Sequence, residues 1–324
     1  MNSTPEYPLE LEVVAARSLT EEIRHLVLRR VDGGVLPPFE AGAHVDLCVQ
    51  LGQGVKEKRS YSLINSEDTN GQYEIAVKRE RDGRGGSHFM HTLVPGQRVR
   101  CKEPNNQFKL ASEPQYAVLI AGGIGITPIL SMARTLQARG IAFEMHYGAR
   151  HPDLMAFQEE VMRATYNKAQ LYFDRGPTQR AMDLTQILLA HEPQRHVYVC
   201  GPKPLLDAVR QHASDIGWPE HHVHFEVFGS VAQTGDQPFT LMLQKSSRTL
   251  HVPARKSILD AMIEAGLDPM FDCKRGECGT CAVKVLSGAP DHRDYALSAS
   301  DREEDCLMCI CVSRCTSGTL TLDA

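Results

Sequence analysis

Apolar and polar residues alternate over residues 9–15, 25–29 and 73–77, the period of two that marks strands with one buried face. Gly33-Gly34, Pro37-Pro38, Gly42 and Pro95-Gly96 punctuate the same region with turn signals. Several short strands between turns predict a small β-barrel in the first third of the chain. The pattern changes at Tyr116, where a continuous apolar run over 116–121 predicts a buried parallel strand. Gly122-Gly123-Ile124-Gly125-Ile126-Thr127-Pro128 follows, then helical spacing over 129–138 that Gly140 ends. Thr127 is expected to cap this helix and Pro128 to occupy its first turn, where a missing N–H costs nothing. Further strands are expected at 142–147, 171–174 and 196–200, and a second helix over 204–213. Alternating strands and helices predict a parallel sheet with its ligand at the strand carboxyl ends, where Gly122, Gly125, Cys200 and Gly201 fall.

A polar stretch at 230–237 reads as a linker. Beyond it, 239–244 and 249–252, joined by Lys245-Ser-Ser-Arg248, read as a hairpin. Ser257-Ile-Leu-Asp260 has the form of a capping box, with Asp in place of the commoner Glu or Gln, and begins a helix ended by Gly266. The expected fold class is therefore multidomain. A β-barrel spans 1–113, an α/β domain with a parallel sheet spans 114–232, and an α+β domain spans 233–324.

Composition narrows the function classes. A chain of 324 residues suits two or three domains at about 100–200 residues each. No run approaches the ~18 apolar residues of a membrane span, and the first residues lack the basic and apolar regions of a secretory signal. A net charge of −5 argues against nucleic acid as the main partner. Ten cysteines without an export signal predict a reducing, cytoplasmic setting, with thiols kept for metal rather than for disulfides.

The sharpest chemistry lies in Cys273-Lys-Arg-Gly-Glu-Cys278-Gly-Thr-Cys281, followed by further cysteines at 306, 309, 311 and 315. A C-x4-C-x2-C run with a remote fourth cysteine is the spacing of a plant-type [2Fe–2S] cluster. Gly276 and Gly279 suit a chain wrapped tightly around sulfur, because glycine reaches positive φ without strain. A structural zinc site is the plain alternative, but zinc usually takes its cysteines in two separated C-x2–4-C pairs. The fourth ligand is open on spacing alone, since Cys309 follows Cys281 after 27 residues and Cys311 after 29. In the barrel, Arg59-Ser60-Tyr61-Ser62 and Lys78-Arg79-Glu80 followed by Arg84-Gly85-Gly86-Ser87 supply a phosphate-binding set with an aromatic face beside it. Taken singly, each run is also compatible with an ordinary strand or hairpin turn. The glycine turn at 122–125 is an anion site for a dinucleotide pyrophosphate, though it departs from G-x-G-x-x-G. Asp174 follows a strand at a place suited to the adenine ribose hydroxyls, which predicts NADH over NADPH.

The order R-x-Y-S, R-G-G-S, G-G-I-G-I-T-P, C-G-P and C-terminal C-x4-C-x2-C…C-V-S-R resembles that of the phthalate dioxygenase reductase family. This family includes the reductases of vanillate demethylase and carnitine monooxygenase. The resemblance covers essentially the whole chain. It implies FMN in the barrel, NADH in the α/β domain, a [2Fe–2S] cluster in a ferredoxin-like β-grasp domain, and a Rieske-type terminal oxygenase as electron acceptor. It implies that Arg59 and Ser87, with N–H groups of Gly85 and Gly86, hold the FMN phosphate. Tyr61 and Ser62 would flank the isoalloxazine, with Lys78 beside it. Gly122, Gly123, Thr127 and Gly201 would face the nucleotide, and Cys200 would sit near the nicotinamide. Phe228, in the segment that Glu226 opens, would shield the flavin. Ser62, Cys200, Glu226 and Phe228 are thus the positions expected around hydride transfer.

The resemblance selects Cys311, immediately before Val-Ser-Arg, as the ligand joining Cys273, Cys278 and Cys281. The stretch Pro290-Asp-His-Arg-Asp294 also matches the family and reads as a structural turn or a partner contact. NADH gives two electrons as a hydride and the cluster takes one, so flavin is the group able to join them. The expected function is a monomeric two-to-one electron converter feeding an oxygenase. A stand-alone flavin reductase or diaphorase and a non-enzymatic iron–sulfur sensor are the other classes.

Overall fold

The computed structural model describes residues 7–51, 55–67, 71–80, 85–112, 114–176, 179–189, 192–228 and 235–324. Arg84 and the expected boundaries at 113 and 232 lie outside the described residues. The chain divides into two compact units, Met1–Glu226 and Val227–Ala324.

The first unit opens with six antiparallel strands: β1 (Leu9–Ser18), β2 (Ile23–Arg30), β3 (His44–Gln50), β4 (Lys56–Ser62), β5 (Tyr73–Lys78) and β6 (Arg98–Cys101). Their order in the sheet is β4-β3-β6-β1-β2-β5. Ile64, just past β4, donates its N–H to the Glu74 carbonyl of β5 at 2.9 Å, which curls the two edges together into a barrel. Alternation supplies the interior, with Leu9, Leu11 and Val13 of β1 packing on Leu26, Leu28, Val45 and Ile75. The R-G-G-S region is not a hairpin turn. Gly85 sits at φ 94° and a short helix, α1 (Gly86–Thr92), follows it.

The same unit continues with β7 (Tyr116–Gly122), α2 (Ile126–Arg139), β8 (Ala142–Ala149), α3 (Gln158–Ala164), β9 (Gln170–Phe173), α4 (Leu184–Ile187), β10 (Arg195–Gly201), α5 (Lys203–Asp215) and β11 (Val223–Val227). The sheet order is β11-β10-β7-β8-β9, with β10, β7, β8 and β9 parallel. Strand order reverses between β7 and β10, so a crevice opens at their carboxyl ends. Thr127 does not cap α2. A 3₁₀ turn over Gly123–Gly125 winds straight into the helix from Gly125 in the right-handed region. Thr127 therefore falls inside the first turn and its hydroxyl donates to the Ile124 carbonyl at 3.0 Å. Barrel and sheet pack as one body through α2: buried Ser131 donates to the Asn65 carbonyl at 2.8 Å and Arg134 to that of Ile64 at 3.0 Å.

The second unit contains β12 (Phe239–Leu243), β13 (Arg248–Val252), α6 (Ile258–Glu264), β14 (Ala282–Ser287), β15 (Pro290–Asp291), α7 (Ala299–Glu303), β16 (Leu307–Cys309), β17 (Arg314–Cys315) and β18 (Thr319–Leu322). A mixed sheet ordered β13-β12-β18-β14-β16, with β12 and β18 parallel, packs with α6 around one core. This is the β-grasp arrangement that hairpin, helix and metal loop predict. Ser257 caps α6 by accepting the Asp260 N–H at 2.9 Å, while the Asp260 carboxylate takes Lys274 of the cysteine loop at 3.2 Å.

Of the expected linker, 230–234 lie outside the described residues, and its last two residues are held by the second unit. Asp236 pairs with Arg293 at 2.6 Å, and the Gln237 carbonyl accepts from buried Arg314 at 3.0 Å. A guanidinium so deeply buried needs every donor satisfied, and the segment around Asp236 supplies the acceptors. Among the described residues, no helix is long and apolar enough to cross a membrane.

Candidate functional site

The barrel residues expected at a flavin phosphate converge on the N-terminus of α1. A Cβ added to Gly86 would lie 2.8 Å from Nε of Arg59, so glycine lets that side chain lie directly against the helix start. Ser87 accepts the Glu80 N–H at 3.0 Å, which ties the first turn to the end of β5 and leaves its hydroxyl proton for another acceptor. Arg59 is braced by Glu57 at 2.5 Å and by the Lys58 carbonyl. N–H groups in a first helical turn, a hydroxyl and a guanidinium form a cradle for a phosphate monoester.

Further along β4, Tyr61 packs on the barrel core, and burial pushes its phenol pKa up. Ser62 is 5% exposed, yet its hydroxyl meets no hydrogen-bond partner among the described residues. Leaving such a group unsatisfied costs about 1–3 kcal/mol, which a polar ring edge bound beside it would recover. Lys78, at the end of β5, stands 4.0 Å from the Glu22 carboxylate. These residues fit a flavin mononucleotide.

The second set lies at the crevice in the parallel sheet. A Cβ on Gly125 would approach the Cys200 carbonyl oxygen to 2.2 Å, and one on Gly122 would meet Cδ of Pro202 at 2.7 Å. A Cβ on Gly201 would lie 3.1 Å from Gly122 Cα, so the two turns touch backbone to backbone. Gly123, at φ 55°, has nothing within 4 Å of an added Cβ and keeps that side of the turn open. Cys200 is fully buried, and Thr127 is buried in the first turn of α2. Asp174 is exposed immediately after β9, two strand spacings or roughly 10 Å from β7. An opened backbone at one strand end and a carboxylate farther along the same edge suit a dinucleotide. Glu226 is buried in β11, whereas half-buried Phe228 belongs to the second unit.

The third set is the cysteine loop. Gly276 and Gly279 have φ of 76° and 72°, and Lys274 joins them in the left-handed region at 56°. A Cβ on Gly276 would lie 2.7 Å from Val312 and 3.0 Å from Asp294 Cα. Asp294 fixes this wall, accepting from Ser313 at 3.2 Å, Arg302 at 3.1 Å and the Leu297 N–H at 3.1 Å. The Pro290–Asp294 stretch is thus a structural turn that closes over the loop, with Asp291 opposite Arg314 in β15 and β17.

The thiols form two groups. Cys273 bonds to Cys278 and accepts the Arg275 N–H at 3.3 Å, while burial pushes its pKa up. Burial works against the Cys278 thiolate, but Thr280 and backbone N–H groups outweigh it and pull that pKa down. Cys281 accepts from Cys309 and then from Cys311, which lowers its pKa far below the thiol range. Among the described residues, no three His, Cys, Asp or Glu side chains form a site for a single ion. Two pairs of thiols are instead what two irons bridged by sulfide need, two terminal sulfurs each. Cys309 and Cys311 are both buried beside Cys281, so proximity to Cys281 does not choose between them. Cys311 accepts an N–H from the loop, that of Gly276.

Sequence reasoning missed the Asp294 clamp and the placement of Cys309, since both depend on segments folded back from outside the motif. The Asp in Pro290-Asp-His-Arg-Asp294 was the available signal for the first. For the second, there was only a surplus cysteine.

Comparison with known proteins identifies three modules along the chain. Family models described as an oxidoreductase FAD-binding domain, an oxidoreductase NAD-binding domain and a 2Fe-2S iron-sulfur cluster binding domain match residues 10–110, 119–211 and 241–316. The chain is 37% identical to phthalate dioxygenase reductase of Burkholderia cepacia over 97% of each chain. It is likewise 37% identical to vanillate O-demethylase oxidoreductase of a Pseudomonas species, over 97% of this chain and 99% of that one. A solved phthalate dioxygenase reductase, described as a modular structure for electron transfer from pyridine nucleotides to [2Fe–2S], superposes with a TM-score of 0.77. The two share 36% identity over 98% of both chains.

Proposed function

This chain belongs to the phthalate dioxygenase reductase family, and we propose that it is the reductase component of an oxygenase system, passing electrons from NADH through FMN and a [2Fe–2S] cluster to a partner oxygenase. The observation that carries this reading is the pair of thiol groups in the β-grasp unit, downstream of a barrel and a dinucleotide sheet in one chain. The partner is a Rieske-type terminal oxygenase, the protein acts as a monomer in the cytoplasm, and its modules divide near 113 and 232.

In this proposal Arg59, Ser87 and the N–H groups of Gly85 and Gly86 hold the flavin phosphate. Ser62 donates to the ring edge, with Tyr61 and Lys78 beside it. Gly122, Gly123, Thr127 and Gly201 admit the pyrophosphate, and Asp174 accepts the ribose hydroxyls. Cys200 and Glu226 border the nicotinamide, excluding water from the place where hydride leaves. Cys273 with Cys278 and Cys281 with Cys311 hold the cluster. Bound flavin supplies the conversion from hydride to single electrons.

The test is an anaerobic absorbance titration. NADH should bleach flavin and cluster bands together and then support reduction of a partner oxygenase. Cluster bands that stay unbleached point to a stand-alone diaphorase. A chain that binds the cluster but shows no response to NADH is a sensor.

Two predictions concern the cofactors. Acid release should yield FMN, because the two phenylalanines between Ser87 and Leu110 are committed to packing, Phe89 on the barrel core and Phe108 buried. Neither is available to hold an adenine. Arg59→Ala should weaken FMN affinity roughly tenfold to a hundredfold, the loss of a phosphate contact of about 1.5–3 kcal/mol, read by titrating apoprotein against flavin fluorescence. Stoichiometric FAD in the released cofactor refutes this assignment.

NADH should also give the higher kcat/KM of the two nicotinamide cofactors, and Asp174→Ala should shrink the ratio by about tenfold, because a carboxylate accepts ribose hydroxyls and repels a 2′-phosphate. A wild-type preference for NADPH rules out that role for Asp174.

A further inference from the structure

Five thiols, exposed Cys278 and half-buried or buried Cys273, Cys281, Cys309 and Cys311, stand at a site for a group that takes four. Two tetrahedral irons sharing two sulfides have four terminal positions, and the reading above fills them with Cys273, Cys278, Cys281 and Cys311. Cys309 is left over, yet it is not remote. It ends β16 directly opposite Ala282, the residue after Cys281, and the Ile310 N–H that follows it donates to the Cys281 carbonyl at 3.2 Å. Cys309 is fully buried and Cys281 is 3% exposed, so neither sulfur has bulk water as an alternative partner. The Cys309 thiol lies within hydrogen-bonding reach of the Cys281 sulfur. A thiol that makes no metal bond keeps its proton, and an S–H is a donor.

We propose that Cys309 is a positioning residue for the cluster, donating its S–H to the ligating sulfur of Cys281 and thereby raising the reduction potential. The inference rests on the cluster assignment made above. The physical basis is charge: one-electron reduction adds a negative charge that spreads onto the ligand sulfurs, and a donor aimed at one of them stabilises the reduced form more than the oxidised one. The donor is held by a strand pair, not by a mobile loop, so it keeps its aim in both states. The other two surplus cysteines are not so placed. Cys306 bonds toward the Glu303 carbonyl and Cys315 toward Ser317 and the Thr319 carbonyl.

The experiment is a redox titration of the full chain and of Cys309→Ala and Cys309→Ser, followed by the EPR signal of the reduced cluster, with iron and sulfide assayed on each. The alanine variant should keep its cluster and become harder to reduce, by roughly threefold to tenfold in the one-electron equilibrium constant. The upper end corresponds to about 59 mV. The serine variant retains a donor and should recover part of the shift. An alanine variant with full iron content and an unmoved potential overturns the inference. An alanine variant that loses its iron while Cys311→Ser keeps it overturns it differently, making Cys309 the ligand. If the wild-type chain itself holds no iron and sulfide, the failure lies in the cluster assignment, so the two are told apart.

Discussion

Replacement of Cys311 by serine is expected to take the [2Fe–2S] EPR signal from full occupancy to near none, while Cys309→Ser leaves it in place. An alkoxide or hydroxyl is a poor substitute for thiolate on iron, and the loss of one terminal bond opens the cluster to hydrolysis. Cys311 accepts the Gly276 N–H from the loop, and a ligating sulfur carries charge that such a donor stabilises. Gly276→Ala should reproduce the loss without touching a cysteine. Its φ of 76° is strained for any residue with a Cβ, and that Cβ would sit 2.7 Å from Val312 and 3.0 Å from the Asp294 backbone. In all these variants NADH should still bleach the flavin, since the barrel and the parallel sheet belong to the other unit. A Cys309→Ser chain that loses the signal while Cys311→Ser keeps it reverses the ligand assignment.

Cutting the chain between 229 and 234 should give an N-terminal piece that binds FMN and reduces ferricyanide with NADH at close to the full-length rate. Its support of a Rieske oxygenase should fall to background. The cut must precede Asp236, whose carboxylate serves Arg293 and Arg314 in the second unit. A cut after it removes an acceptor from a buried guanidinium, which destabilises the ferredoxin-like fold by about 3–5 kcal/mol. Each unit has its own hydrophobic core, so both pieces should fold separately. Every proposed cluster ligand lies beyond the cut, and the exit to a large partner goes with them. Oxygenase turnover by the truncated piece at the full-length rate would refute the cluster as obligatory exit.

Much of the architecture was legible in local patterns because it rests on local causes. Alternation over a few residues is enough to mark β1, β2 and β5, since the two-residue period is a property of the strand itself. The apolar run of β7, and Gly140 at the end of α2 with φ 67°, are legible for the same reason. The cysteine spacing announces a cluster because three of the proposed ligands come from one loop of nine residues, 273–281.

What the tertiary structure alone decided rests on contacts between distant parts of the chain. The helix α1 was not foreseen, because Arg84-Gly85-Gly86-Ser87 reads locally as a turn, whereas Gly85 at φ 94° leads into a helix packed against Arg59 of a distant strand. Thr127 lost its expected capping role to backbone geometry at Gly125, set where the turn presses on the Cys200 carbonyl. The barrel and the parallel sheet became one body through bonds such as Ser131 to Asn65, which no sequence period encodes. Asp236, read as linker, is held because buried Arg314 and Arg293 need its carboxylate, and Cys309 reached Cys281 only through the pairing of β14 with β16. Propensity and spacing act over a turn of chain, so the sequence determined the modules, their order and their cofactor-bearing motifs. A desolvated charge or a missing Cβ is answered by whatever residue folding brings beside it, so the walls of each site were decided in three dimensions.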